Sequence, residues 1–247
     1  MAPCRVFPLI LALLASSLAI PLATGARAQA PSACPVAPLQ ELPLPHLAEA
    51  AREGRPAVIV TLGSSSTEGV GASSPLATYP ARLEEALRRD GLAARVLNRG
   101  RGGEEVGDML ARMERDVIAA RPDVVIWQVG TNAAMRNHPL DRFTVLLREG
   151  VRRLQEAGAD VVLMDSQRGP WAARAPMREA FDRALADMAL EKGAVLFSRR
   201  RLMDVWASAG TAPEAMLVQD GLHHNDRGYA CLAEALARGM RSALPGR

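Results

Sequence analysis

Residue types that together could perform acyl transfer stand at two distant places in this chain, a serine cluster after a β-branched run and an Asp-x-x-His near the other end. The stretch Gly63-Ser64-Ser65-Ser66-Thr67-Glu68-Gly69 follows the apolar run 57–62 and precedes a helical pattern. A serine at a strand-to-helix turn points its hydroxyl outward, with unbonded backbone N–H groups beside it. That arrangement suits a nucleophile or a phosphate loop. Near the other end of the chain stands Asp220-Gly221-Leu222-His223. An imidazole is the base that a serine needs. An aspartate three residues earlier can hold its tautomer and stabilise the imidazolium.

An acyl-transfer intermediate also carries an oxyanion, which needs preorganised donors. The segment Asn98-Arg99-Gly100-Arg101-Gly102-Gly103 offers a close backbone N–H at Gly103. The segment Gly130-Thr131-Asn132 offers a side-chain amide. The N–H of Ser65 is a third donor. Taken singly, each cluster reads as a turn or a helix cap. Taken in order at successive strand ends, they read as one site.

Short apolar runs at 57–62, 94–97, 123–129, 160–164 and 194–197 predict five strands. Amphipathic stretches at 79–89, 106–120, 140–157, 177–192 and 226–243 predict helices, with glycine or proline at most junctions. Strands alternating with helices imply βαβ units and a parallel sheet covered on both faces. The absence of a second pattern implies one domain over 56–247, preceded by a proline-rich, irregular lead-in over 29–55. In such sheets ligands bind outside the carboxyl ends of the strands, the edge on which every cluster above falls.

Residues 1–28 read as a secretory leader. Arg5 supplies a charge, 9–20 is apolar but too short to span a bilayer, and Ala26-Arg27-Ala28 fits a cleavage site after Ala28. The expected location is therefore periplasmic or extracellular, with no stable membrane anchor. Loss of Arg5 and Arg27 leaves 28 cations against 27 acids, a net charge of +1. The arginines are interspersed with acids, so nucleic acid is not an expected partner. Cys34 and Cys231 remain in an oxidising compartment. Spacing alone leaves open whether they pair or stay as buried thiols.

From residue 57 to 243 the chain resembles the SGNH/GDSL hydrolase family of serine esterases, whose four blocks are the four clusters quoted above, in order. The resemblance implies Ser65 as nucleophile, Asp220 and His223 as its partners, and Ser65, Gly103 and Asn132 as the oxyanion hole. It implies an α/β fold: a flavodoxin-like three-layer α/β/α sandwich on a five-stranded parallel sheet. Two positions depart from the family pattern. Ser64 stands where the usual aspartate precedes the nucleophile, and Ala133 where an acid often follows the block asparagine. Ser64 and Ser66 are the alternative nucleophiles.

Trp171 and Arg168 lie in the loop after the fourth run and are candidates for a pocket wall and an anion contact. Trp127 is expected in the core, His46 and His138 at the surface, and His224 exposed or at the pocket rim. No ligand cluster surrounds these histidines, so neither a metal nor a cofactor is expected. The expected activity is hydrolysis of short-acyl esters, small or glycan-borne, by a monomer. The alternatives are O-acyl transfer with the same residues and a non-catalytic carbohydrate-binding module on the same fold.

Overall fold

The computed structural model describes residues 1–2 and 34–244. The expected leader beyond its second residue, with the cleavage point after Ala28, lies outside the described residues. Each β-branched run forms a strand: β1 (Ala57–Gly63), β2 (Ala94–Gly100), β3 (Val124–Gln128), β4 (Asp160–Met164) and β5 (Val195–Phe197). Between and around them run α1 (Pro45–Arg52), α2 (Ser65–Glu68), α3 (Tyr79–Arg89), α4 (Val106–Asp116), α5 (Thr131–Met135), α6 (Leu140–Glu156), α7 (Arg178–Lys192), α8 (Arg199–Ser208) and α9 (Asp226–Arg241).

All strand pairs are parallel, in the order β2-β1-β3-β4-β5. This is the flavodoxin-like three-layer α/β/α arrangement. The order reverses between β1 and β3, so the connections leaving their carboxyl ends run to opposite faces of the sheet, the place where such sheets bind ligands. Residues of period two feed two cores. Ile59, Val124, Ile126, Val162 and Met164 pack with α1, α3, α8 and α9 on one face. Val60, Val125, Trp127, Val161 and Leu163 pack with α4, α6 and α7 on the other. Trp127 is fully buried, as expected. Gly150 of α6 lets that helix approach its ring, since a Cβ there would lie 2.2 Å from the indole.

Two segments are more ordered than their patterns imply. The lead-in expected to be irregular contains α1, whose first turn rests on a distant carboxylate. Asp160 accepts from the N–H groups of His46 and Leu47 at 3.0 and 3.1 Å, where the helix dipole favours an anion. Eight residues beginning in proline are too few to show this period. The chain between β5 and Asp220, for which the sequence pattern predicts no helix, contains α8. Ser198 caps it, accepting from Arg201 N–H at 3.1 Å.

The lead-in is fixed at three further points. Gln40 exchanges two hydrogen bonds with the Ser198 backbone, at 3.1 and 2.9 Å. Leu42 N–H donates to Ser242 Oγ. Cys34 and Cys231 form a disulfide that ties the lead-in to α9 across 197 residues of sequence. Closing so long a loop removes unfolded-state entropy worth up to about 5 kcal/mol. Replacing both cysteines by serine is expected to cost about 2–5 kcal/mol. In thermal unfolding that appears as a fall in Tm of roughly 5–15 °C. An unchanged Tm would mean that the Gln40 and Asp160 contacts alone hold the segment.

Candidate active site

The site begins where β1 ends. A Cβ on Gly63 would lie 2.1 Å from Thr67 Oγ1 and 2.9 Å from Gln128 Oε1, so the turn into α2 requires glycine. Ser64 is buried, and its N–H and Oγ both donate to Gln128 Oε1, at 3.0 and 3.1 Å. Thr67 Oγ1 donates to the same oxygen at 3.3 Å. One amide from the end of β3 thus holds the turn at the position where the family pattern carries an aspartate. Ser66 is also buried. Ser65, the first residue of α2, is the serine whose hydroxyl meets the histidine.

Ser65 Oγ lies 2.7 Å from His223 Nε2, and His223 Nδ1 lies 2.6 Å from Asp220 Oδ2. A carboxylate only accepts, so Nδ1 carries the proton and Nε2 faces the hydroxyl as acceptor. Asp220 Oδ1 also receives the N–H groups of Leu222 and His223, at 2.8 and 2.9 Å. Partial burial pushes the Asp220 carboxyl up. The hydrogen bonds from the His223 ring and from these two N–H groups outweigh it and hold it below its ordinary value. The spacing of three residues does this work, because it lets one carboxylate cap the turn and reach the ring.

Behind His223 the chain is fastened. Val218 N–H bonds His223 O at 2.9 Å and Asn225 N–H bonds Met216 O at 3.1 Å, closing a short antiparallel bridge. The loop 69–74 packs against it: a Cβ on Gly71 would lie 2.4 Å from His224 O. Tyr229 Oη donates to Val70 O at 2.6 Å and Ser73 N–H to Asp226 at 2.8 Å.

The loop after β2 supplies the next group. Gly103 adopts φ +78°, a left-handed conformation suited to glycine. Among the described residues its N–H has no acceptor, and neither does that of Ser65. Glu68 Oε2 accepts from Gly102 N–H at 2.9 Å, joining this loop to α2. Asn132 Nδ2 donates to Glu104 O at 2.8 Å and has a second N–H to give. Ala133 is buried in the apolar core beneath α5, an environment hostile to the acid common at that position.

Three expectations change. Trp171, a candidate pocket wall, is fully buried and gives its indole N–H to Gln167 O at 3.1 Å, so it is core. Arg168, a candidate anion contact, is already paired with Asp204 of α8. His224, expected exposed or at the rim, is fully buried and donates Nδ1–H to Met216 O at 3.0 Å. Burial, then the nearby Arg199 charge, pushes its pKa down to about 3, so it is a neutral structural residue. His138 is exposed and His46 is half-buried at the surface. Sequence reasoning passed over Gln128 and Glu68. The signal for Gln128 is a polar residue closing an otherwise apolar strand at the active edge.

Comparison with known proteins gives a consistent picture. Residues 31–244 match the non-GDSL lipase-like family. An acetylxylan esterase of Geobacillus stearothermophilus is 28% identical over 197 residues, covering 73% of this chain and 89% of that protein. An arylesterase of Vibrio mimicus is 24% identical over 183 residues, covering 73% and 86%. A crystal structure of the Geobacillus enzyme superposes with a TM-score of 0.63 at 24% identity, over 74% of this chain and 94% of that one. A putative GDSL-family lipolytic protein from Desulfitobacterium hafniense gives 0.59 at 21% identity, over 74% and 99%.

Gln128→Met keeps the volume but leaves the buried Ser64 hydroxyl and N–H without their acceptor. It is expected to cost about 1–3 kcal/mol in denaturant unfolding. An unfolding midpoint equal to that of the unaltered chain would show that the turn holds itself.

Proposed function

The chain belongs to the non-GDSL lipase-like family and is an SGNH/GDSL-type ester hydrolase, and from that premise we propose a periplasmic or secreted serine esterase that removes short acyl groups through Ser65, His223 and Asp220. The observation that carries this reading is the unbroken run from Ser65 Oγ through the His223 ring to Asp220, with contacts of 2.7 and 2.6 Å.

In this reading His223 Nε2 takes the Ser65 proton as Oγ attacks the ester carbonyl. The tetrahedral oxyanion is received by the N–H groups of Ser65 and Gly103 and by the Asn132 amide. His223, now imidazolium and paired with Asp220, returns the proton to the leaving alkoxide. Water then repeats the sequence on the acyl-enzyme, releasing the acid and free Ser65. Asp220 fixes the tautomer and balances the charge without itself taking the proton.

An acetyl group on a glycan is the substrate this reading favours. It draws on the acetylxylan esterase likeness. Short acyl chains agree with the four phenylalanines and three tryptophans of the whole sequence, too few to line a long lipid tunnel. A small-molecule or glycan-borne ester acted on by a monomer, without nucleic acid, completes the proposal. O-acyl transfer to a sugar would use the same residues, and the acceptor that the site admits decides between the two.

The test is hydrolysis of p-nitrophenyl acetate, butyrate and octanoate by the purified protein and its variants. Acetate is expected to be the best substrate. Ser65→Ala is expected to lower kcat/KM by roughly 10⁴-fold or more, and Asp220→Asn by about 10⁴-fold through the wrong tautomer. Activity retained by Ser65→Ala and lost by Ser64→Ala would overturn the nucleophile assignment. No turnover of any ester, with acyl transfer to an added sugar, would convert the hydrolase into a transferase. Protein exported from expressing cells is expected to begin at Gln29. A product found only in the cytoplasm with its first residues intact would sink the secretion proposal.

A further inference from the structure

The loop that follows β2 is tied down at almost every peptide. Arg101 N–H donates to Gly63 O at 3.0 Å and Gly102 N–H to Glu68 Oε2 at 2.9 Å. Glu104 O receives Asn132 Nδ2 at 2.8 Å, and Glu105 N–H donates to Asp108 at 3.0 Å. Gly103 O receives Arg136 Nη1 at 3.0 Å. The Gly103 N–H is left without an acceptor among the described residues.

The direction of that N–H is set by rotation about Gly102 on one side and Gly103 on the other. Two successive glycines offer the least steric resistance to such rotation. Glu68 fixes the near side through Gly102 N–H. On the far side the Gly103–Glu104 peptide is held by a long bond from Glu104 N–H to Arg101 O, at 3.4 Å, and by the Arg136 guanidinium. The guanidinium lies alongside Gly103, and a Cβ added there would be 3.7 Å from Arg136 Nη2. Arg136 follows the end of α5, four residues after Asn132, so both residues project from one helix face. Its charge is matched by Glu105, which also contacts His138 Nδ1 at 2.6 Å. A guanidinium already paired in this way suits a fixed hydrogen bond better than recognition of an anionic substrate.

We infer that Arg136 is a positioning residue: by holding the Gly103 carbonyl it restricts rotation about Gly103, so that the N–H of the preceding peptide faces the oxyanion. Helix α5 then supplies one donor directly, through Asn132, and orients a second through Arg136. The inference rests on Ser65 as the nucleophile of an esterase.

The test uses the full chain with Arg136→Ala and Arg136→Lys. Arg136 is half exposed, and a Tm matching the unaltered protein checks that the fold is intact. On p-nitrophenyl acetate, Arg136→Ala is expected to lower kcat roughly 10- to 100-fold, short of removing an oxyanion donor outright. KM should stay within about twofold, because a donor aimed at the transition state contributes little to ground-state binding. Arg136→Lys should recover part of the loss. Affinity for a boronic acid that mimics the tetrahedral intermediate should fall in step with kcat/KM. A kcat within about twofold of the unaltered enzyme, or a rise confined to KM, would overturn the inference.

A second measurement does not depend on turnover. The amide resonances of Gly102, Gly103 and Glu104 are expected to shift or broaden in Arg136→Ala. Resonances identical to those of the unaltered protein would overturn the inference whether or not any ester is cleaved. A protein silent on every ester would instead sink the esterase reading, while the amide signals still decide whether Arg136 fixes Gly103.

Discussion

The constraint on which this site depends is steric: no side-chain atom fits where β1 hands over to α2. A Cβ on Gly63 would meet Thr67 at 2.1 Å, and one on Gly100, its pairing partner in β2, would meet Glu68 N at 2.0 Å. Two strands therefore end against the same four-residue helix, and that helix cannot move without opening both. The free N–H of Ser65, the reach of Ser65 to His223 and the approach of the Gly103 loop all follow from this contact. Gln128 completes it from β3, taking three hydrogen bonds on one oxygen. Three strands thus converge on one turn at the point where the sheet order reverses.

Much of this was legible in the sequence because parallel sheets write a simple pattern. The strand and helix runs follow from burial on both faces. The active edge follows from which end of each run carries the polar and glycine clusters. Within that frame, Asp220 and His223 were readable because a spacing of three is geometrically sufficient. What stayed hidden has a common physical character, namely partners distant in sequence. Asp160 anchors α1 across 114 residues and Gln128 anchors Ser64 across 64. Neither pairing leaves a local period. Trp171 and His224 misled for the complementary reason. Both fall in stretches that the sequence pattern leaves irregular on the active edge, and such a position indicates proximity without indicating which way a side chain turns.

The buried polar groups near β4 and β5 show how such loops are held. Asp165 accepts from Ser198 Oγ at 2.5 Å and Arg200 N–H at 2.9 Å, while Arg199, fully buried, donates Nε to Asp165 O at 3.2 Å. Burial pushes the Asp165 carboxyl up to about 6, the neighbouring Asp182 adds to that, and the hydrogen bonds oppose it. Burial likewise lowers the Arg199 pKa while Asp165 pulls it back. Such groups are costly to desolvate, and their value lies in direction more than in energy. They join the ends of two neighbouring strands to the start of α8. From there the chain continues to the bridge at Leu217 and His224 that carries Asp220 and His223.

The two halves of the candidate site are therefore secured by different means. The donors proposed for the oxyanion are clamped by backbone-directed hydrogen bonds in a crowded turn, where a shift of an ångström would misdirect them. The acid–base half is more open. The Asp220 side chain is 43% accessible, yet it receives three N–H groups and stays below its ordinary pKa. Water near a carboxylate weakens its pull on the imidazolium, and the hydrogen bonds compensate by keeping it ionised and oriented. An ester hydrolase can tolerate this asymmetry, because charge developing on a carbonyl oxygen must be met by fixed dipoles at once, whereas the acid–base partner needs only its orientation and ionisation held.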